Sequence, residues 1–168
     1  MTSTRRHWLA AAGAAAGLTA IPFARHAVAA PIKAVFEVTH TDAEWRTRLT
    51  PAQYAVLRQE ATERAGTSPL NQEHRKGTFA CAGCALPLFS SATKFDSGTG
   101  WPSFWKPLDQ AVGTQTDRAL FMQRTSVHCR RCGGHLGHVF EDGPKPTGLR
   151  YCMNGVAMKF TPGSSGPA

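Results

Sequence analysis

The stretch Cys129-Arg130-Arg131-Cys132-Gly133-Gly134-His135-Leu136-Gly137-His138-Val139-Phe140 decides how the chain is read. It opens with a Cys-x-x-Cys pair followed by two glycines. A second pair, Cys81-Ala82-Gly83-Cys84, precedes it by about 45 residues. Two such knuckles supply four thiolates, which satisfy tetrahedral Zn²⁺ with no open position, the structural kind of site. Cys81, Cys84, Cys129 and Cys132 are therefore read as the ligands of one structural zinc. Rival readings are disulfides within or between the pairs, a thioredoxin-like redox pair without the βαβ context it needs, and iron in a rubredoxin-like site. His128 directly precedes Cys129 and stays outside a shell that four cysteines complete. Structural zinc is worth on the order of 10–16 kcal/mol, against a domain's net ~5–15 kcal/mol. A fold built on this site depends on it.

The chain has five cysteines, so the zinc reading leaves Cys152 over, in Arg150-Tyr151-Cys152-Met153-Asn154-Gly155. An ordinary thiol is mostly protonated at neutral pH and needs cationic neighbours or donors to act as a nucleophile. If this stretch is a strand, Arg150, Cys152 and Asn154 share one face and present a cation, a nucleophile and an amide together. His135 and His138 would be a metal pair on a helix. The glycines around them argue against one, so an acid or hydrogen-bond donor is the better reading. The run Ser97-Gly98-Thr99-Gly100-Trp101-Pro102-Ser103-Phe104-Trp105 is also richer in glycine and tryptophan than packing requires.

Around these motifs the chain reads as a single mainly β domain of the α+β class. Thr41-Asp42-Ala43-Glu44 is a capping box that starts a short helix carrying Trp45 and Leu49. Thr50-Pro51 starts a second, with Tyr54, Leu57 and Ala61 on one face, running to about Arg64 and ended by Gly66. From Gly77 onward short strands alternate with glycine and proline. They are expected over 77–80, 87–90, 93–95, 119–124, 138–141, 150–153 and 156–160, as in a small antiparallel β fold.

The N-terminus is read as a sorting signal. Arg5-Arg6 precede an Ala/Gly-rich apolar run from Leu9 to Phe23, and Ala27-Val28-Ala29 is a small-x-small cleavage pattern. This is the layout of a twin-arginine export signal over 1–29, cleaved after Ala29. The run is too short and glycine-rich for a membrane span. Residues 30–40 are a linker or edge strand, 41–162 the domain, and 163–168 a disordered tail. The expected location is a bacterial periplasm, with no stable membrane insertion after cleavage. Loading zinc before export, in the reducing cytoplasm, protects the thiols from oxidation. Of the formal charge of +8, Arg5, Arg6 and Arg25 contribute three, leaving +5 for residues 31–168. No dense basic run exists, so nucleic-acid binding is not expected.

Taken together, these motifs are identified as those of the peptide-methionine (R)-S-oxide reductase family. The matching pieces are Cys81–Cys84, Phe95-Asp96-Ser97-Gly98, Gly100-Trp101-Pro102-Ser103-Phe104, Cys129–Cys132, His135-Leu136-Gly137-His138-Val139-Phe140 and Arg150-Tyr151-Cys152-x-Asn154. They occur in the family's order over about residues 42–162. The resemblance implies two antiparallel sheets with helices on the N-terminal side and one zinc. It implies Cys152 as nucleophile, His135, His138 and Asn154 on the polar side of the pocket, Arg150 supporting the thiolate, and Trp101 and Phe104 on the apolar, substrate-binding side. The implied substrate is methionine-R-sulfoxide in oxidised proteins or peptides, and the implied partner a thioredoxin-like or other thiol reductant. A monomer is expected. Two departures stand out. Thr99 occupies the position where many members carry a resolving cysteine, so an external thiol is expected to reduce the sulfenic acid. Gly155 follows Asn154 where serine or alanine is expected, which puts the site's rigidity in question. The alternatives are a non-catalytic zinc-bearing binding module and a periplasmic thiol–disulfide exchanger using one Cys-x-x-Cys pair.

Overall fold

The computed structural model describes residues 35–117 and 124–163. The signal expected over 1–29, most of the strand expected over 119–124, and the tail from 164 onward lie outside the described residues.

Both helix starts follow from their caps. Helix α1 (Asp42–Arg48) begins with a complete capping box: the Thr41 side chain accepts the Glu44 N–H at 3.3 Å, and Glu44 returns the bond to the Thr41 N–H at 2.8 Å. Helix α2 (Pro51–Gln59) repeats the device with Thr50 and Gln53. It ends earlier than the expected Arg64. Glu60 takes a left-handed conformation (φ 57°), and the Ala61 N–H turns back to the Ala55 carbonyl at 3.0 Å. The chain from Ala61 onward is thereby freed from the helix and leads toward the cysteine-bearing strands. Gly66 does not end the helix; its N–H donates to the Gly100 carbonyl at 2.8 Å.

Among the described residues, nine strands form two antiparallel sheets. They are β1 (Gly77–Cys81), β2 (Pro87–Ser90), β3 (Lys94–Phe95), β4 (Ser103–Phe104), β5 (Val112–Asp117), β6 (Arg124–Cys129), β7 (His135–Phe140), β8 (Arg150–Met153) and β9 (Met158–Pro162). The smaller sheet runs β2-β1-β9 and the larger β3-β4-β8-β7-β6-β5. Aromatic packing joins them. Phe104 on the larger sheet stacks on Phe89 at 4.4 Å between ring centroids and meets Phe79 edge-on at 4.9 Å, both from the smaller sheet. Leu88, Leu136, Met153 and Val127 complete a core with no exposed surface. Burying side chains of this size contributes roughly 1.5–3 kcal/mol each.

This packing corrects the expectation for Phe104. Ser103 pairs with Cys152 and Phe104 with Tyr151. Successive strand residues face opposite sides of a sheet, so the register that turns Ser103 toward the Cys152 face turns Phe104 into the core. Phe104 is wholly buried and does not line the cavity beside Cys152.

Candidate active site

The four paired cysteines meet where β1, β6 and the turns after them converge. Their sulfurs all lie within 4.8 Å of one another. Cys81 and Cys132 sulfurs are 3.7 Å apart, and Cys84 and Cys129 sulfurs 3.5 Å apart. Tetrahedral zinc–sulfur bonds of about 2.3 Å put neighbouring sulfurs about 3.8 Å apart, so the cluster could hold a metal such as zinc. All five cysteines are free. The crowded thiols bias one another's protons: Cys84 is held below the ordinary thiol range chiefly by its hydrogen bond with Cys129, and Cys129 chiefly by its bond with Cys132, while Cys81 and Cys132 are pushed above it, each chiefly by its bond with Cys129. A cation would remove this competition for protons, because thiolates are the ligand form. Helix α2 braces the cluster, with the Arg58 guanidinium donating to the Cys132 carbonyl at 3.0 Å. From the N-terminal side, the Val38 N–H donates to the Arg131 carbonyl at 3.0 Å.

Cys152 is not part of that cluster and lies on β8 of the larger sheet, between β4 and β7. One row crosses the large sheet: Ser103 on β4, Cys152 on β8, His138 on β7 and Ser126 on β6 are direct neighbours. His138 and Cys152 thus face the same side without any helix. His135 would point away from His138 in a regular strand, because the two are three residues apart. A bulge between β6 and β7, where Val127 pairs with Gly137 but His128 with His135, inserts one extra residue and reverses that. The two imidazoles sit 5.3 Å apart between centroids, edge to face. Ser126 Oγ lies 3.1 Å from His135 Nδ1 and fixes that ring.

A cavity of about 120 Å³ opens against this row, lined by Thr62, Trp101, Arg124, Gly137, His138, Phe140, Cys152 and Asn154. It falls well short of the ~300–1,000 Å³ usual for a whole small-molecule ligand; it suits the end of one side chain. Of the residues singled out from sequence, Trp101, His138, Cys152 and Asn154 share this cavity. His135 stands behind it, buried and in contact with His138. Arg150 is outside the lining. Its guanidinium donates to both carboxylate oxygens of Asp142 at 2.8 Å and lies 4.4 Å from the Phe140 ring centroid. Arg150 is pushed above the ordinary arginine value chiefly by Asp142, with Cys152 a smaller contributor.

Asn154 is held at three points, two on its side chain and one on its backbone. Its Oδ1 accepts the Glu63 N–H at 2.8 Å, its Nδ2 donates to the Leu136 carbonyl at 3.0 Å, and its backbone N–H reaches the same carbonyl at 2.8 Å. The Glu63 carbonyl in turn accepts the Trp101 indole N–H at 2.9 Å. Sequence reading missed this segment after α2, and Thr62 with it, because nothing local marks it. Phe140 was legible: it follows His138 by two residues and pairs with Arg150, so it lies on the same face. Gly155 is packed, not loose. A Cβ there would sit 1.8 Å from Ser68 Oγ.

A SelR domain model matches residues 49–162. The chain belongs to the SelR family. Relatives of this SelR domain include the peptide methionine sulfoxide reductase MsrB of Leptospira interrogans, 53% identical over 126 residues, which are 74% of this chain and 96% of that protein. The protein of the same name from Thiobacillus denitrificans is 55% identical over 123 residues, 73% of this chain and 93% of its own. That from Methanosarcina mazei is 51% identical over 126 residues, 74% and 90% respectively.

Proposed function

We propose that the protein is a peptide-methionine (R)-S-oxide reductase, with Cys152 as its nucleophile. Family membership and half-identical reductases along nearly their whole length support the activity. The observation that carries the assignment of roles is the single cavity shared by Cys152, His138, Asn154 and Trp101. Its two sides differ in chemistry as the two ends of a methyl sulfoxide do. The Trp101 and Phe140 rings receive the S-methyl group, while His138 and the remaining Asn154 N–H face the oxygen.

Hydrogen bonding or proton transfer from the His138 side makes the sulfoxide sulfur electrophilic. The Cys152 thiolate attacks the sulfoxide sulfur, the sulfur–oxygen bond breaks, and the oxygen, carrying a proton supplied from the His138 side, transfers to the Cys152 sulfur as sulfenic acid while methionine leaves as the thioether. Two electrons pass from the cysteine sulfur to the methionine sulfur. His135 supports His138, and Arg150, aimed by Asp142, places a positive charge near the thiolate. Thr99 Oγ1 is 3.8 Å from Cys152 Sγ. With a hydroxyl there, and the other four cysteines in their own cluster, an external thiol reduces the sulfenic acid. A first thiol forms a mixed disulfide and releases water; a second frees Cys152.

In this reading the metal is one structural Zn²⁺ held by Cys81, Cys84, Cys129 and Cys132, whose chemistry is to staple two turns together. The Arg5-Arg6 segment and Ala27-Val28-Ala29 support export by the twin-arginine route to the periplasm, and with it a thiol donor that operates there. The substrate is methionine-R-sulfoxide on a polypeptide, because the cavity takes a side-chain end and leaves the backbone outside.

The test is turnover of a peptide carrying each methionine sulfoxide epimer, with zinc content measured alongside. Only the R epimer is consumed, and Cys152→Ser abolishes turnover while keeping its zinc. Survival of activity in Cys152→Ser points to a thiol–disulfide exchanger working through one Cys-x-x-Cys pair and overturns the assignment. After one turnover without reductant, mass spectrometry finds Cys152 as sulfenic acid; an intramolecular disulfide to Cys152 contradicts the one-cysteine scheme.

A further inference from the structure

Three hydroxyls beside Cys152 have no part in the reaction as written. Ser103 Oγ donates to the Trp101 carbonyl at 3.2 Å. Ser97 Oγ lies 2.7 Å from Ser103 Oγ, and Thr99 Oγ1 lies 2.8 Å from Ser97 Oγ. Thr99 Oγ1 then reaches Cys152 Sγ at 3.8 Å. The loop is built to align them. Asp96 Oδ1 accepts the Gly98 N–H at 2.9 Å, and Gly98 turns the chain with φ +69°, which brings Ser97 and Thr99 into contact. Ser103 itself stands directly opposite Cys152 in the sheet and is wholly buried.

Each hydroxyl has one proton to donate and lone pairs to accept. Two oxygens about 2.7–2.8 Å apart need one proton between them. With the Ser103 proton on the Trp101 carbonyl, the link to Ser97 must be filled by the Ser97 proton, and the link to Thr99 by the Thr99 proton. Thr99 then meets Cys152 as an acceptor, and can bond only the protonated thiol. A thiolate requires the opposite order. Thr99 must donate to sulfur, Ser97 to Thr99 and Ser103 to Ser97, and the Ser103 bond to the Trp101 carbonyl is released.

We infer that Ser103, Ser97 and Thr99 form a reversible hydroxyl chain whose direction follows the charge on Cys152 and which stabilises the thiolate form. The exchange favours the thiolate. A weak S–H···O contact gives way to a charge-assisted O–H···S⁻ bond, and only one long neutral bond is lost. Successive hydroxyls polarise one another, so the chain acts as a unit. The Trp101 carbonyl cannot take up a proton, so none is conducted along the chain. The thiol proton leaves on the cavity side, and the three hydroxyl protons each rotate by one link. Thr99 touches the reacting atom; Ser97 and Ser103 are positioning residues that act through it.

Other titratable or charged groups face the same sulfur. They are His138 on β7, with His135 behind it, Arg150 on β8 with its partner Asp142, and Arg124 in the cavity lining. Asp96 on the loop is exposed and committed to Gly98. All remain in every variant below, so differences among variants report the chain.

The inference rests on Cys152 being the reacting thiol, and its test needs no sulfoxide. Iodoacetamide alkylation of Cys152 is followed by mass spectrometry in the as-purified, zinc-checked protein, as the ratio of the rate at pH 7 to that at pH 10. The expected ratio falls about tenfold in Thr99→Val, the size of a charge-assisted bond. It falls several-fold in Ser97→Ala, which touches no atom of Cys152, and Thr99→Ser restores it. Wild-type ratios in Ser97→Ala, or equal loss in Thr99→Ser and Thr99→Val, overturn the inference. If wild-type protein fails to reduce the sulfoxide while the ratios change as stated, the proposed function falls and the chain stands. If it reduces the sulfoxide while the ratios stay flat, the chain falls alone.

Discussion

The backbone carbonyl of Glu63 accepts the indole N–H of Trp101 at 2.9 Å. This bond fixes the plane of the cavity's apolar wall from a segment that follows α2. Trp101→Phe keeps an aromatic wall but removes the donor and leaves a part-buried carbonyl unpaired. One neutral hydrogen bond is worth about 1 kcal/mol, so kcat/KM for a sulfoxide peptide falls about fivefold. Steady-state kinetics on the folded variant check this. A value within twofold of wild type removes Glu63 from the positioning of Trp101.

Much of the frame around that bond was legible. Thr41 and Thr50 announced both helix starts, and 87–90 and 150–153 are strands at the expected limits. What sequence could not give was register. β4 is two residues long and carries no periodicity, yet its pairing decides that Ser103 faces Cys152 and Phe104 the core. β5 reads Val-Gly-Thr-Gln-Thr-Asp, too polar to separate from a loop until it pairs along β6. The bulge in β7 is likewise a property of two strands together, so the meeting of His135 with His138 could be named only as a pair of residues without a geometry. The stop of α2 at Glu60 overrode a helical pattern that ran on, because Glu63 is held by Asn154 and Trp101.

The Thr99–Cys152 distance of 3.8 Å makes a second expectation concrete. A disulfide needs sulfurs about 2.05 Å apart, a closure that a loop with glycines at 98 and 100 can accommodate. Thr99→Cys therefore forms an intramolecular disulfide with Cys152 after one turnover. Peptide mapping detects the cross-link, and turnover becomes responsive to dithiol donors. Accumulation of sulfenic acid without a cross-link contradicts the placement of Thr99.

The four-cysteine cluster predicts dependence of folding on metal. A structural zinc contributes on the order of 10–16 kcal/mol, more than most domains have in reserve at ~5–15 kcal/mol. Stripping the metal with a strong chelator under reducing conditions abolishes the cooperative thermal transition, and added Zn²⁺ restores it on refolding. Cys84→Ser behaves like the stripped protein. A cooperative transition that survives complete metal loss is the contrary result.

Asp142 supplies a pH expectation. The Arg150 guanidinium holds its carboxyl below the ordinary value of 3.8. A carboxyl lowered in the folded state adds stability that is complete above its unfolded value and is lost as pH falls through the folded one. The pair is therefore fully formed from pH 5 to 8 and weakens only below about 4. The difference in thermal midpoint between wild type and Asp142→Asn is constant over the neutral range and shrinks as the solution is acidified past that point. A difference that already changes between pH 6 and 7 assigns the titration to another group.

Gly155 and Ser68 make the last prediction. The Cβ that alanine would add at 155 lies 1.8 Å from Ser68 Oγ and 2.6 Å from Ser68 Cβ. Ser68 cannot simply rotate away without cost, because its Oγ also accepts the Leu70 N–H at 3.2 Å. Overpacking of this kind costs about 1–3 kcal/mol. Gly155 directly follows Asn154, so relief of the clash displaces the residue that Glu63 and Leu136 hold at the cavity. Gly155→Ala thus lowers both the unfolding midpoint in urea and kcat/KM. Adding Ser68→Gly removes both clashing atoms and recovers much of kcat/KM, while part of the stability loss remains with the lost bond to the Leu70 N–H. If Gly155→Ala is as stable and active as wild type, the strand end at Asn154 is more yielding than its three hydrogen bonds imply.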